Sequence, residues 1–261
     1  MTDTVLDLLL SKLGQTSLAE FVEQISKYPV VTRKLLLIRP YRPQDQGEVY
    51  MNKVADAIKP KAQAGKWQIV DDLKGNQATK QNIVDALTKK KPDFVMYFGH
   101  SYNSYIAGQE NGALVEAINL QNVSVLSGKA VIVNACLTAS SLGPQAVTAK
   151  CRGYIGYTGG LTTLHYSQEV EDDCTEALFV PNLALLDGDT YATAETTGWA
   201  AWDAKWHKWT AFCLANKGKL TTQGAAFCAM GPAALLDNRN RFARLGNKQA
   251  VARPIGLLIN Q

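Results

Sequence analysis

Five short, largely apolar runs constrain this chain more than any other feature. They are "KLLLIRP" at 34–40, "WQIVDDL" at 67–73, "DFVMYFGH" at 93–100, "KAVIVNAC" at 129–136 and "CRGYIGYTGG" at 151–160. Segments with helical spacing lie between them, at 48–64, 78–90 and 140–150. Strands that alternate with helices need crossover connections, and crossovers build parallel sheets. Runs apolar at successive positions, rather than at alternate ones, fit strands buried on both faces. The pattern therefore predicts strands over 34–39, 67–72, 93–99, 129–135 and 153–157 in one mainly parallel α/β sheet with helices on both faces.

The rest of the chain is mainly helical in period. Two short amphipathic helices are expected at 4–13 and 17–27, split by Gly14, and they set off residues 1–30 as an N-terminal helical segment. "GALVEAINL" reads as part of a small hairpin. Beyond residue 170, helical spacing covers 170–186 and 189–216, with a shorter stretch at 221–230. The tail from Leu235 carries no clear period. With no repeat and no convincing linker, residues 31–261 read as one domain with C-terminal helical additions. Trp199, Trp202, Trp206 and Trp209 recur at helical spacing, which marks a core or partner-facing stripe.

Bulk properties exclude several classes. A chain of 261 residues with 46% hydrophobic and 19% charged residues can bury a full core and is not disordered. A net charge of +4 without a dense basic stripe gives no nucleic-acid footprint. No run of about 18 apolar residues is present, so no membrane span is expected, and the N-terminus lacks the basic n-region of a signal peptide. The five cysteines, Cys136, Cys151, Cys174, Cys213 and Cys228, contain no CxxC pair and are odd in number. That argues against a disulfide framework or a zinc ribbon and for a reducing, cytoplasmic compartment.

Two of the apolar runs end on chemistry-bearing residues, His100 and Cys136. In an open parallel sheet, functional groups gather beyond the carboxyl ends of the strands. If the third and fourth strands are neighbours, these side chains converge across one strand spacing, roughly 5 Å. A thiolate is nucleophilic, and a nearby imidazole can tune it or pass a proton. Singly, each residue reads as structural: a small core cysteine, a satisfied histidine. Their equivalent positions on two strands favour the functional reading. A metal pair lacks further ligands, since His165 and His207 stand at no recognisable spacing and no HExxH motif occurs. The order, histidine before cysteine, and the context "VNACLTA" exclude a G-x-C-x-G or G-x-S-x-G elbow.

"YFGHS", then "VIVNAC" followed by Ser140 and Ser141, then "GYIGYTGG", is similar to the caspase-like cysteine peptidases, above all the CHAT-type branch related to separase. "EALFVPNLALLDGDTYATAETTGWA" resembles that family's helix, loop and helix, so the likeness covers roughly residues 34–205. It implies a caspase-like three-layer fold and peptide-bond hydrolysis without metal or cofactor. In that reading His100 and Cys136 are catalytic, and backbone amides of Gly99, Ser101 and Cys136 hold the oxyanion. Ser101 stands where the family often has glycine, which restricts φ and puts the oxyanion geometry in question. The family's last strand has no clear counterpart in the tail. The likeness also implies a protein substrate, a regulatory partner and a role in prokaryotic defence.

Specificity is open at this level. Arg39 and Arg42 after the first strand would favour an acidic substrate residue. The acidic group Glu169, Glu171, Asp172 and Asp173 would favour a basic one, with Thr158 and Gly159 lining the same edge. Each of these charged residues also reads as part of a solvated segment. Two other functions compete: a caspase-like binding module that no longer cuts, and a small-molecule site at the sheet edge.

Overall fold

A computed structural model describes residues 32–252. The expected helices at 4–13 and 17–27 lie outside the described residues. The five expected strands form as β1 (Arg33–Arg39), β2 (Trp67–Lys74), β3 (Phe94–Phe98), β7 (Ala130–Asn134) and β8 (Gly153–Tyr157). With β9 (Phe242–Gly246) they share one sheet of order β2-β1-β3-β7-β8-β9. All neighbours in it are parallel except β8 and β9, which run antiparallel. β9 supplies the last strand that the tail did not reveal.

Between β3 and β7 the chain builds a second, antiparallel sheet of β4 (Ser101–Tyr102), β5 (Tyr105–Glu110) and β6 (Ala113–Asn119). The helices are α1 (Gln46–Ala64), α2 (Lys80–Asp85, continued as a π-helical turn through Lys90) and α3 (Leu142–Thr148). They continue with α4 (Gln168–Asp187), α5 (Tyr191–Ala215) and α6 (Thr222–Arg241). α6 runs eleven residues past the expected 221–230. Its last turns, "DNRNR", are polar; within them the buried Asn238 bonds the backbone of Thr162 in a neighbouring loop.

Alternation along the central strands sorts side chains into two cores. Leu35, Leu37, Phe94, Met96, Phe98, Ile132 and Ile155 pack with Val54 and Ile58 of α1, Leu178 and Leu185 of α4, Trp202 of α5 and Leu235 of α6. Leu36, Ile38, Val95, Tyr97, Val131 and Val133 pack with Ile83 of α2 and Leu142 and Ala146 of α3. Each such large side chain contributes about 1.5–3 kcal/mol of hydrophobic burial. Both faces are therefore covered, which leaves the rim at the strand ends. The tryptophan stripe is core: Trp202 and Trp209 are buried, and Trp199 and Trp206 pack against them. No described helix is long and apolar enough to cross a membrane.

The cysteine pattern misled in one respect. Cys213 on α5 and Cys228 on α6 form a disulfide, with their Cα atoms 5.4 Å apart. Fifteen residues of chain separate them, so only the antiparallel α5–α6 pairing brings them together. The remaining cysteines are free thiols.

Candidate active site

Phe98 of β3 pairs with Asn134 of β7, and His100 and Cys136 each lie two residues beyond that pair. The sheet thus places them at equivalent positions on neighbouring parallel strands, as the two matching runs implied. The loops are tied together directly: Ser101 Oγ donates to the Cys136 carbonyl. Ser101 belongs to β4 and is not among the residues with positive φ, so serine meets no backbone penalty there.

His100 is held from three sides. Tyr97 Oη donates to its carbonyl and to that of Ala107. Gly47, in the first turn of α1, packs against the ring. The imidazole Nε2 lies 2.8 Å from Asp45 Oδ2. Its other nitrogen, Nδ1, has no hydrogen-bond partner among the described residues. The side chain is 38% exposed.

Asp45 is the residue the sequence reading missed. It is the N-cap of α1, where Oδ1 accepts from the Glu48 amide at 3.1 Å. Its other oxygen also receives Arg42 Nη2 at 2.6 Å. Glu48 is buried and accepts from the Arg42 amide and Nε. Asp45, Glu48 and His100 have ligand atoms within 4.8 Å of one another. Arg42 bonds both carboxylates, at 2.6 Å to Asp45 and 3.1 Å to Glu48. Burial pushes the Asp45 carboxyl upward. The Glu48 amide and His100 outweigh it, and the group ends below the usual carboxylate range. Asp45 is therefore ionised near neutrality and fixes which imidazole nitrogen faces it.

Cys136 sits at a sharp reversal. Leu137, next in the chain, adopts φ 62°. A non-glycine residue there costs roughly 1–2 kcal/mol. The turn is stabilised by β8: Leu137 N–H donates to Gly159 O at 2.8 Å and Ala139 N–H to Tyr157 O at 3.0 Å. Gly156 makes room for it, because a Cβ there would come 2.5 Å from Thr138 Oγ1. The half-buried thiol receives the Leu161 amide at 3.2 Å. No hydrogen bond joins Cys136 Sγ to His100. Cys151 and Cys174 differ in kind: both are buried, and burial pushes each thiol up to about 12.

The other candidate residues divide. The Gly99 amide is turned into the ladder toward Asn134 O at 3.4 Å, away from an oxyanion. Cys136 N–H has no acceptor among the described residues. Arg39 is 3% exposed and committed to Asp72 and Asp56, so it is a structural cation with no donor pair facing substrate. Arg42 serves Asp45 and Glu48. Thr158 is bonded through its amide and hydroxyl to Arg241 O. Gly159 O takes the Leu137 amide. Asp172 is exposed on the first turns of α4 and accepts from Gln168.

The fold is a caspase-like α/β fold with a mainly parallel sheet. Among solved structures the chain is similar to a complex of Porphyromonas gingivalis RgpB pro- and mature domains, with TM-score 0.53 and 12% identity. That match covers 85% of this chain and 48% of the other. A second chain, titled as the structure of a protease, matches with TM-score 0.46 and 14% identity over 88% of this chain and 50% of its own length. The chain thus spans about half the length of each. No family model and no curated protein matches it.

If His100 acts in catalysis, Asp45→Asn is expected to lower turnover about 10- to 100-fold, with the α1 cap kept and the Arg42 ion pair lost. Asparagine still caps α1, but it no longer charges the partner of His100. Steady-state kinetics beside a thermal melt checks this.

Proposed function

We propose that this chain is a cysteine peptidase in which Cys136 is the nucleophile, His100 the acid–base group and Asp45 the residue that orients His100. One observation carries the reading. A partly exposed thiol and a carboxylate-anchored imidazole stand at register-equivalent ends of adjacent parallel strands, and a Ser101 hydrogen bond ties their loops together. The likeness in fold to RgpB supports it.

In the reaction, the Cys136 thiolate attacks the scissile carbonyl carbon and a C–S bond forms. His100 protonates the amine as the C–N bond breaks, leaving a thioester on Cys136. His100 then takes a proton from water, the hydroxide adds to the thioester, and the acid product leaves with the thiol restored. In this reading the Cys136 amide, which has no acceptor among the described residues, and the Ser101 amide donate to the developing oxyanion. One such donor is worth about 2.7–4 kcal/mol in a comparable site. No metal or cofactor enters any step.

The substrate is a protein. The CHAT-type branch, a regulatory partner and a role in prokaryotic defence rest on the sequence resemblance. The cytoplasmic location rests on the cysteine pattern, and the Cys213–Cys228 bridge weighs against it, because disulfides persist in oxidising compartments. A second reading, a binding module that does not cut, draws on the Leu161 contact that occupies Cys136 Sγ in place of His100. A proteome digest separates the two: new peptide N-termini with the wild type, absent with Cys136→Ala, support the peptidase. Identical N-termini from both proteins support the binding module.

A further inference from the structure

The structure commits the charges that the sequence offered for choosing a substrate. Arg39 and Arg42 bond internal carboxylates, and Asp173 is nearly buried against Lys205, Lys208 and Trp209. An aromatic pair beside the imidazole is not committed in this way. Among the described residues, the exposed large apolar side chains are Tyr102, Leu120, Leu214 and Met230. Of these, Tyr102 stands two residues from His100 and is 51% exposed.

The hairpin fixes the face that Tyr102 occupies. Ser101 pairs with Ile106 and Tyr102 with Tyr105 in the β4–β5 ladder. The Ala107 amide donates to His100 O at 3.2 Å, which carries the pairing one residue further back. Side chains alternate along a paired strand. Ser101 turns inward, where it is 6% exposed and bonds the Cys136 carbonyl. His100 and Tyr102 therefore share the opposite face, with Cα atoms about 7 Å apart. No side chain of this strand stands between the imidazole and the phenol.

Arg42 gives the same placement independently. Its bond to Glu48 pushes the guanidinium above its ordinary value against the effect of burial, and Asp45 and the Tyr102 hydroxyl add to this. Asp45 is the carboxylate that meets His100 Nε2, so the phenol lies beside the cluster that holds the imidazole. The hairpin is also anchored. Tyr105 packs on Tyr102 with ring centroids 4.8 Å apart. The turn between them is tied to the segment after Cys136, because the Leu142 amide donates to Asn103 O at 3.1 Å. A cross-strand ring pair stabilises a hairpin by itself, and here it still leaves half of Tyr102 in water.

In the proposed reaction His100 protonates the amine that leaves. The first residue of the leaving fragment then lies on the His100 side of the thiol, with its Cα one bond from that nitrogen. A side chain as long as that of phenylalanine spans the step of about 7 Å from His100 to Tyr102. Rings meet favourably edge-on or offset at centroid separations of about 4.5–7 Å.

Resting on the assignment of His100 as the acid of a peptidase, we propose that Tyr102, backed by Tyr105, is a specificity residue that packs on an aromatic side chain in the first residue of the leaving fragment.

The test is digestion of a proteome-derived peptide mixture by the full chain. Mass spectrometry reads the residue at each new N-terminus, and Cys136→Ala is the blank. Wild type is expected to enrich Phe, Tyr and Trp at the new N-terminus about three- to tenfold over their abundance in the mixture. Tyr102→Ala should abolish that enrichment and leave the residues before the cut unchanged. Tyr102→Phe keeps the ring and should keep the enrichment, a rescue that separates packing on substrate from a role of the hydroxyl in the hairpin. For one cleaved sequence, kcat/KM with Phe after the cut should exceed that with Ala by a similar factor in wild type, and the two should be equal in Tyr102→Ala. Cys136-dependent termini without aromatic enrichment, or enrichment that survives in Tyr102→Ala, overturn the inference and leave the peptidase reading standing. An equal loss on every sequence in Tyr102→Ala does the same. No Cys136-dependent termini from wild type overturns both.

Discussion

Cys136→Ala is expected to abolish substrate cleavage, by at least about 10³-fold, and to leave the melting temperature close to that of the wild type. The thiol is half-buried and, among the described residues, its one hydrogen-bond neighbour is Leu161, so little packing is lost with it. His100→Ala should cost about 10²- to 10⁴-fold, because the leaving amine then has no positioned acid. Cys151→Ala and Cys174→Ala should behave oppositely: both thiols are buried in the cores, so these changes cost stability and spare the chemistry. The comparison needs turnover and a melt for each variant. Loss of activity that tracks early melting, in Cys136→Ala as in the others, would mark Cys136 as structural.

The largest effect on stability is expected at Asp72. Arg39 Nε and Nη2 donate to its two oxygens at 2.6 Å, and Lys59 donates to it as well. Asp72→Ala leaves a guanidinium that is 4% exposed with only Asp56, itself 55% exposed. Removing one partner of a buried pair costs about 3 kcal/mol or more. That corresponds to a fall of roughly 6–12 °C in Tm for a domain of this size. Asp56→Ala, at the exposed end, should cost under about 1 kcal/mol. The network also sets a pH dependence. Burial pushes the Asp72 carboxyl up, but Arg39 and Lys59 more than offset it, so it stays ionised below the ordinary range. A folded carboxylate held below its unfolded value, about 3.9, contributes stability above that pH and loses it as pH falls through the folded value. Acid unfolding of the wild type should therefore be steeper than that of Asp72→Ala. Equal Tm for wild type and Asp72→Ala would show that Arg39 is not the buried structural cation described.

The central strands were legible because burial on both faces writes itself as unbroken apolar runs. His100 and Cys136 were legible because each ends such a run. β9, "FARLG", was not: it is an edge strand with three partly exposed residues and follows a polar helix end, so neither period nor hydropathy marks it. Asp45 was hidden for a different reason. "DQGE" ahead of an apolar-periodic segment is an ordinary helix N-cap signature, and nothing local shows that the second oxygen of the cap meets an imidazole 55 residues away. The disulfide was missed similarly, since spacing says nothing of which helices pack together.

The most direct measurement is the rate at which iodoacetamide alkylates each cysteine of the native protein, located by peptide mass spectrometry, in wild type and in His100→Ala. The account predicts that Cys136 is modified first, ahead of Cys151 and Cys174, and that His100→Ala slows that reaction about tenfold or more while the melt is unchanged. Alkylation of Cys136 at the same rate with and without His100 would contradict the pairing on which the peptidase reading stands.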